Sequence, residues 1–447
     1  MSVPDLVAFT HARTREADSW LFGRRRTWQV FSLFSLLMVF DFADRMIIAA
    51  LLPAIRLEWH INDAQAGLLN SALTLGMIVF AFPVALAVDR WSRVKTAGLM
   101  GVAWSVAAMV GGVAASFGQL LAARAVVGVG EAGYAPAAYS WIAAAFPRRH
   151  LQFALGFFSA SAPVGMALGI AGGGYIASHY GWRHAFGIVA LPGLLAAALL
   201  YRGRDYSNRD FVKRVEAETT MGHQLDGAIE SRLRILRIPS LSLSFFMSGM
   251  IMMQSVPVFY FLPTYLIRIY GIPLQKASFL ASALMLLPIV GTPMGGWIMD
   301  RLTQRYRSAK LVYLAISAGL CTTLYLMVFH FAASWQVQYG LLVIASFVGA
   351  TALSTPMSMT QELVHPRGRA FSSTCGVIAS AALGSMPGPY LTGLLSDRFG
   401  LRSALASVTL VSGALITVAA LLALRFYLRD LDRVSRFDVV LRSTLRS

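Results

Sequence analysis

Apolar residues along this chain fall in long blocks separated by short polar connections, not in the period-two alternation of half-buried strands. The blocks cover residues 28–51, 66–88, 96–116, 119–146, 151–178 and 184–201, then 239–268, 277–299, 310–331, 335–358, 370–396 and 403–425. A helix rising 1.5 Å per residue needs roughly 20 residues to cross hydrocarbon, and the blocks have about that length. The pattern predicts an all-α polytopic membrane protein with about twelve transmembrane helices. It divides into a tail over 1–27, a six-helix bundle over 28–201, a polar linker over 202–238, a second six-helix bundle over 239–425 and a tail over 426–447. In the linker Ile229, Leu233 and Leu236 recur at helical spacing beside Arg232, Arg234 and Arg237. That spacing fits either a short helix on the membrane surface or a solvated connection.

The two sets of six repeat each other. "FPRRH" after the fourth block answers "HPRGR" after the tenth, with Pro147 and Pro366 separated by 219 positions. "GYIASHYGWRHA" from Gly174 answers "GLLSDRFGLRSA" from Gly393 at the same offset, and Asp89 answers Asp300 at an offset of 211. Three matches in order at nearly constant offset indicate an internal duplication. Such repeats are typical of secondary transporters, whose substrate site lies near the midplane between the halves.

Composition agrees with the pattern, since only 13% of residues are charged and mean hydropathy is +0.62, against about a quarter charged in soluble domains. The net charge of +17 would fit nucleic acid if it were clustered. Instead the basic residues gather on alternate connections: Arg24–Arg26, Arg90, Arg93 and Lys95, Arg148 and Arg149, Arg301 to Lys310, Arg367 and Arg369, and the tail from Arg425. The opposite side has Arg56, Arg183, Arg268, Lys276, Arg398 and Arg402. This bias places both termini in the cytoplasm of a cell whose inner membrane holds the chain, and no nucleic-acid partner is expected. The polar stretch up to Trp20 does not read as a cleavable signal peptide. Cys321 and Cys375 both fall in apolar blocks, so neither a disulfide framework nor a metal site is expected.

The chemistry lies inside the blocks. "VFDFADRMIIAALLPAI" in the first carries Asp41, Asp44 and Arg45, and "RAVVGVGEAGYAPAAY" in the fourth carries Arg124 and Glu131. Five ionisable groups facing lipid would cost on the order of 10–15 kcal/mol on insertion scales, so they must face protein or a water-filled cavity. Asp41, Asp44 and Arg45 are neighbours on one helical stripe, and Arg124 and Glu131 are nearly two turns apart. With the N-terminus inside, Asp41 lies near mid-membrane, Arg45 about 6 Å further out, Arg124 in the outer part and Glu131 near the middle. Opposite charges therefore occur at compatible depths. A static salt-bridge lattice is one reading. The other is proton coupling: acids in such a place change protonation as water access alternates, and an Arg drawn onto a substrate anion would release its acid to titrate.

The loop after the second block, Ala85, Asp89, Arg90, Ser92 and Arg93, resembles the G-x-x-x-D-R-x-[GS]-R signature of the major facilitator superfamily, with Ala in place of the leading Gly. The second copy keeps Gly296, Asp300 and Arg301 and has Gln304 at the next basic position. The resemblance covers essentially the whole chain and implies the major facilitator fold. It also implies that Asp89, Arg90, Arg93, Asp300 and Arg301 brace one conformation as a gate. "DFADR…LLPAI", "RAVVGVGEAGYAPAAY" and "GWRHAF…LPGLL" are most similar to bacterial spinster-like members, relatives of sphingosine-1-phosphate and lysophospholipid exporters. By that resemblance Asp44, Arg45, Arg124 and Glu131 form the coupling and headgroup-binding cluster. Three residues before the Asp-Arg pair the family often has Asn, and here Asp41 adds an acid. Proton-coupled organic anion symporters of the same superfamily share the D-R and R…E pattern.

The second half carries no matching ionisable cluster. Its first block has Gln254, Tyr260, Thr264 and Tyr265 near Pro257 and Pro263, and prolines in a span often mark moving segments. Gln254 and Tyr260 are assigned to the cavity, with ordinary helix packing as the alternative. Met247, Met250, Met252 and Met253 fit a shape-adapting lining or plain packing, and Gly165, Gly169 and Gly172–Gly174 fit close helix contacts. The eight histidines show no H-x-x-x-H spacing and no Gly-rich phosphate loop precedes a helix, so neither an enzyme nor an ATP-driven pump is expected. No cofactor is expected. The expected function is a monomeric, proton-coupled secondary carrier of an amphipathic organic anion, lysophospholipid-like or sphingoid-phosphate-like. Asp41, Asp44 and Glu131 would handle protons, and Arg45, Arg124, Gln254 and Tyr260 would hold substrate. A proton symporter importing a small carboxylate or sulfonate is the alternative.

Overall fold

Helix boundaries in this chain follow local signals that the two halves share. The computed structural model describes residues 20–90, 92–203, 238–331, 334–364 and 369–444. The linker segment with Ile229, Leu233 and Leu236 therefore lies outside the described residues. The first half comprises α1 (Arg24–Trp59), α2 (Asp63–Arg90), α3 (Arg93–Gly112), α4 (Phe117–Glu131), α5 (Tyr134–Ala145), α6 (Arg148–Tyr180) and α7 (Trp182–Tyr201). The second comprises α8 (Pro239–Tyr270), α9 (Leu274–Met285), α10 (Leu287–Arg305), α11 (Ala309–Leu326), α12 (Trp335–Ala352), α13 (Thr355–Glu362), α14 (Arg369–Ser380), α15 (Pro387–Phe399) and α16 (Leu401–Thr444).

Pairs of shorter helices continue one another, so the sixteen helices among the described residues form twelve rods, six in each half. Among the described residues nine helical stretches are long and apolar enough to cross a membrane. The other three rods are α1, with three ionisable residues at its centre; α4–α5, broken at Ala132–Gly133; and α14–α15, joined by a π turn over Ala381–Ser385. The last rod continues as helix through Thr444, so much of the predicted C-terminal tail extends α16.

Caps set the ends. Ser92, Ser116 and Ser334 accept hydrogen bonds from the backbone N–H groups of Lys95, Gln119 and Val337, as N-cap serines do. Asn62 and Gln65 form a reciprocal capping box at the start of α2, each side chain accepting from the other's backbone N–H. At the far ends α1 and α8 stop at left-handed residues, His60 (φ 52°) and Gly271 (φ 64°), which stand 211 positions apart. Beyond the apolar part of α1, Glu58 accepts from Arg183 and Trp182 at 2.7 Å each and fastens α1 to α7. The Arg183 hydrogen bond, with help from Trp182, holds the Glu58 carboxyl below the usual carboxylate range.

Small residues bring helices close where the site is built. A Cβ at Gly165 would collide with the Val39 carbonyl, and one at Gly169 with the Ala43 carbonyl, so α6 lies against the α1 backbone on both sides of Asp41. Gly173 faces Ile47 on the same surface, whereas Gly172 meets open space. The halves join at the end of the molecule that carries Trp59, Asp63 and Tyr270. There α2 runs along α15, α6 along α9, and α1 along α8. The π turn leaves Ser385 O free to accept from Asn70 Nδ2 at 2.8 Å, and Met386 O accepts from Ser71 Oγ at 2.5 Å, across the junction.

Candidate functional site

Three acids and two guanidiniums meet between α1 and α4. Asp41, Asp44, Arg124 and Glu131 are each only 1–2% exposed, and the Arg45 side chain is 18% exposed. Asp41 and Arg45, four apart, lie one above the other on α1. Arg45 forks onto Asp41, with Nε 3.2 Å from Oδ1 and Nη2 3.0 Å from Oδ2. The same Nε lies 3.1 Å from Glu131 Oε2 on α4. That is an ion pair without hydrogen-bond alignment, since neither Glu131 oxygen has a hydrogen-bond partner. One turn further along, Arg124 Nη1 donates to Asp44 Oδ2 at 2.9 Å and to Asp44 O at 3.2 Å, while Arg124 Nε is left without a partner. The Arg45 guanidinium also sits 4.6 Å above the Phe42 ring.

The antiparallel course of α1 and α4 explains the pairing. Asp41 and Arg45 meet Glu131, and Asp44 meets Arg124, at the relative depths expected from the sequence. The α4 helix ends at Glu131 because the chain turns through Ala132 and Gly133 before α5. Tyr134, the first residue of α5, is fully buried and donates from its hydroxyl to Phe34 O on α1, which anchors the break beside the acids.

With all five groups ionised the cluster carries one excess negative charge, because three carboxylates face two guanidiniums. One proton makes it neutral. The repeat does not reproduce it: at the 211 offset Met252, Ser255 and Val256 stand for Asp41, Asp44 and Arg45, and at the 219 offset Val343 and Ala350 stand for Arg124 and Glu131.

The other sequence-predicted residues lie apart from this cluster. Gln254 is 7% exposed, and its Nε2 donates to Thr322 Oγ1 at 3.1 Å and to Thr409 O at 3.3 Å, tying α8 to α11 and α16. Tyr260 is fully buried and donates to Ala66 O at 2.8 Å, across the junction between halves. Both polar groups are therefore engaged with protein in this conformation. Of the gate residues, Arg93 opens α3, Asp300 and Arg301 are exposed near the end of α10, and Arg301 lies 3.9 Å from the Trp297 ring centroid. The side chains of Asp89 and Arg90 lie outside the described residues. No group of three or more metal-ligating residues forms among the described residues.

Sequence reasoning passed over a second buried ionic group. Asp63 at the start of α2 is 2% exposed and is held by Arg56, Arg268 and Ser396. Its position in a connection between blocks gives no cost signal. The available signal is a charge present in one half and absent at the matching place in the other.

A duplicated twelve-rod membrane bundle, with its ionisable residues buried between two helices of one half, defines a secondary-transporter architecture. The model of the Major Facilitator Superfamily matches residues 34–374, and the chain belongs to that family of transporters. It is 26% identical over 403 residues to an MFS-type efflux pump of Mycolicibacterium smegmatis, covering 89% of this chain and 91% of that protein. It is 25% identical over 423 residues to probable sphingolipid transporter spinster homolog 1 of Arabidopsis thaliana, covering 87% of this chain and 84% of that protein. The fold matches a crystal structure of a bacterial homologue of the human lysosomal transporter spinster with a TM-score of 0.80, at 22% identity over 91% of this chain and 99% of that one.

Proposed function

We propose that this transporter is a proton-coupled carrier of an amphipathic organic anion, lysophospholipid-like or sphingoid-phosphate-like, working by alternating access in a bacterial inner membrane. The observation that carries the reading is the charge count of the α1–α4 cluster: three buried acids, two guanidiniums and a Glu131 carboxyl with no hydrogen bond. A static lattice would be expected to balance its charges, because an uncompensated buried ion is costly. An odd acid suits a site that takes up and releases a proton.

Coupling follows from competition for the guanidiniums. A substrate anion reaching Arg45, the most open member, draws it from Asp41 and Glu131 and makes those acids easier to protonate. Arg124, with its Nε uncommitted, offers a second donor. The matching positions in the second half are apolar or carry a single hydroxyl, which suits a substrate with one charged end and a long apolar remainder. The sphingolipid assignment in the name of the Arabidopsis relative points the same way. The basic bias of the connections orients the Arg24 end to the cytoplasm, so the junction at Asp63 closes the outer side and this conformation is inward-facing. The test is flux into proteoliposomes under an imposed pH gradient, comparing a lysophospholipid with a small carboxylate. Gradient-driven lysolipid flux is expected. Flux indifferent to the gradient overturns proton coupling, and carboxylate flux alone overturns the amphipathic substrate.

A further inference from the structure

The five ionisable groups of the α1–α4 cluster divide into two sets. Arg124 and Asp44 form one, a one-to-one pair 2.9 Å apart and closed to water. The other is Asp41, Glu131 and Arg45, in which two acids meet a single guanidinium. The excess acid of the cluster therefore belongs to the second set.

Arg45 does not satisfy both of its acids. Its Nε carries one hydrogen, which is aligned on Asp41 Oδ1 at 3.2 Å. Its Nη2 donates to both Asp41 oxygens, at 3.1 and 3.0 Å. Glu131 Oε2 lies 3.1 Å from that same Nε, beside a nitrogen whose hydrogen points elsewhere. One nitrogen thus has an oxygen of each acid next to it. The two carboxyls are within hydrogen-bonding reach of each other once one of them carries a proton.

Two ionised carboxylates this close in a buried site repel, and such pairs lose the repulsion by keeping one proton between them. The other charged and titratable groups around the pair are engaged elsewhere. Asp44 and Arg124 hold each other, Tyr134 at the start of α5 gives its hydroxyl to Phe34 O, and Tyr260 on α8 gives its hydroxyl to Ala66 O. From α6, Gly165 and Gly169 meet this stretch of α1, and from α3 Trp104 packs on Gly130 and Tyr134.

We propose that Asp41 and Glu131 form a carboxyl pair that holds one proton between them, with the Glu131 O–H donating to the Asp41 carboxylate. The pair rests on the proton-coupled reading of the cluster and deepens it: the proton belongs to two residues on two helices, and Asp44 takes no part. It also accounts for how Arg45 is freed for a substrate anion. When Arg45 turns away, a carboxylic acid hydrogen-bonded to a carboxylate remains, one negative charge spread over two groups. A single acid in their place would be left as a bare buried carboxylate, the costlier state. With Arg45 on the anion, a second proton enters from water onto the remaining carboxylate and makes the pair neutral. It returns to water when Arg45 comes back.

The experiment reads the proton itself. Infrared difference spectra of the purified chain in lipid nanodiscs, without substrate or gradient, report the C=O stretch of protonated carboxyls at neutral pH. Asp41→Asn and Glu131→Gln are each expected to abolish the same band, because the acid that remains forms an ordinary ion pair with Arg45. The double variant Asp44→Asn with Arg124→Gln, which removes the closed pair as a unit, is expected to keep the band. A band lost in Glu131→Gln and retained in Asp41→Asn puts the proton on Glu131 alone and overturns the pair, as does the reverse. Single variants that both match the background show neither acid protonated, which also overturns it. A band missing from the double variant brings in Asp44 and has the same consequence. Should Asp41→Asn fail to elute as folded protein on size exclusion, Asp41→Ser takes its place. Flux indifferent to the gradient, with the expected spectra, removes the coupling and leaves the pair; driven flux with a band confined to one acid does the opposite.

Discussion

Arg45 and Glu131 belong to different helices, yet Arg45 Nε stands 3.1 Å from Glu131 Oε2 with no hydrogen bond aligned between them. The guanidinium gives its aligned bonds to Asp41, so it meets Glu131 through charge without an aligned hydrogen bond. Glu131→Gln should therefore keep the packing of α4 while removing the one carboxyl of the cluster that no guanidinium holds by an aligned hydrogen bond. The expected outcome is loss of gradient-driven transport with substrate exchange at equal pH retained. Driven transport that survives intact would transfer the role to Asp41 or Asp44.

Arg124 and Asp44 are a closed pair, both nearly inaccessible and 2.9 Å apart. Arg124→Gln strands a buried carboxylate, at a cost of about 3–5 kcal/mol when one partner of such a pair is removed. The melting temperature of the purified protein should fall accordingly. Adding Asp44→Asn should recover a large part of the loss, because the double variant leaves no unpaired charge. A double variant as unstable as Arg124→Gln would show that Arg124 acts through packing and not through Asp44.

Asp41→Asn restores equal numbers of acids and guanidiniums. It keeps an acceptor for Arg45 and removes the fork. Substrate binding should persist, and the number of protons moved per substrate should fall, read from the pH-gradient dependence of the accumulation ratio. An unchanged ratio would assign Asp41 to holding Arg45 alone.

How much of this was readable beforehand depends on where hydrocarbon makes a residue expensive. Asp41, Asp44, Arg45, Arg124 and Glu131 stood out because charge within an apolar block demands a partner, and antiparallel depth arithmetic put opposite charges at compatible depths without saying which pairs with which. Asp63 carries no such cost in a connection between blocks, and its partners Arg268 and Asp397 are more than two hundred positions away. Gln254 and Tyr260 were visible as polar interruptions, but sequence spacing does not say which neighbour a helix face meets. In the structure those neighbours are α11 and α16 for Gln254, and α2 for Tyr260. The π turn at Ala381–Ser385 was not legible either, since its carbonyls find their partners in Asn70 and Ser71 of the other half.

Gly169 and Gly172 on α6 provide a paired test of how closely α1 must be held. Both are mid-helix glycines, and replacing either by Ala should favour the helix by roughly 0.5–1 kcal/mol if nothing else changed. Gly172 has open space around its Cβ position, so Gly172→Ala should raise the melting temperature slightly and leave transport intact. At Gly169 the added methyl would meet the Ala43 carbonyl and Cα, which are backbone atoms of α1 next to Asp44. They can yield only by moving α1 away from α6, at a cost of about 1–3 kcal/mol for overpacking. Gly169→Ala should therefore lower the melting temperature. Because the displaced backbone carries Asp41, Asp44 and Arg45, it should also reduce transport by more than the lost stability accounts for, measured as flux per folded molecule. Equal melting temperatures for the two variants would mean that α1 and α6 are not in close contact at this point, and the geometry that places Asp41 and Arg45 opposite Glu131 would lose its support.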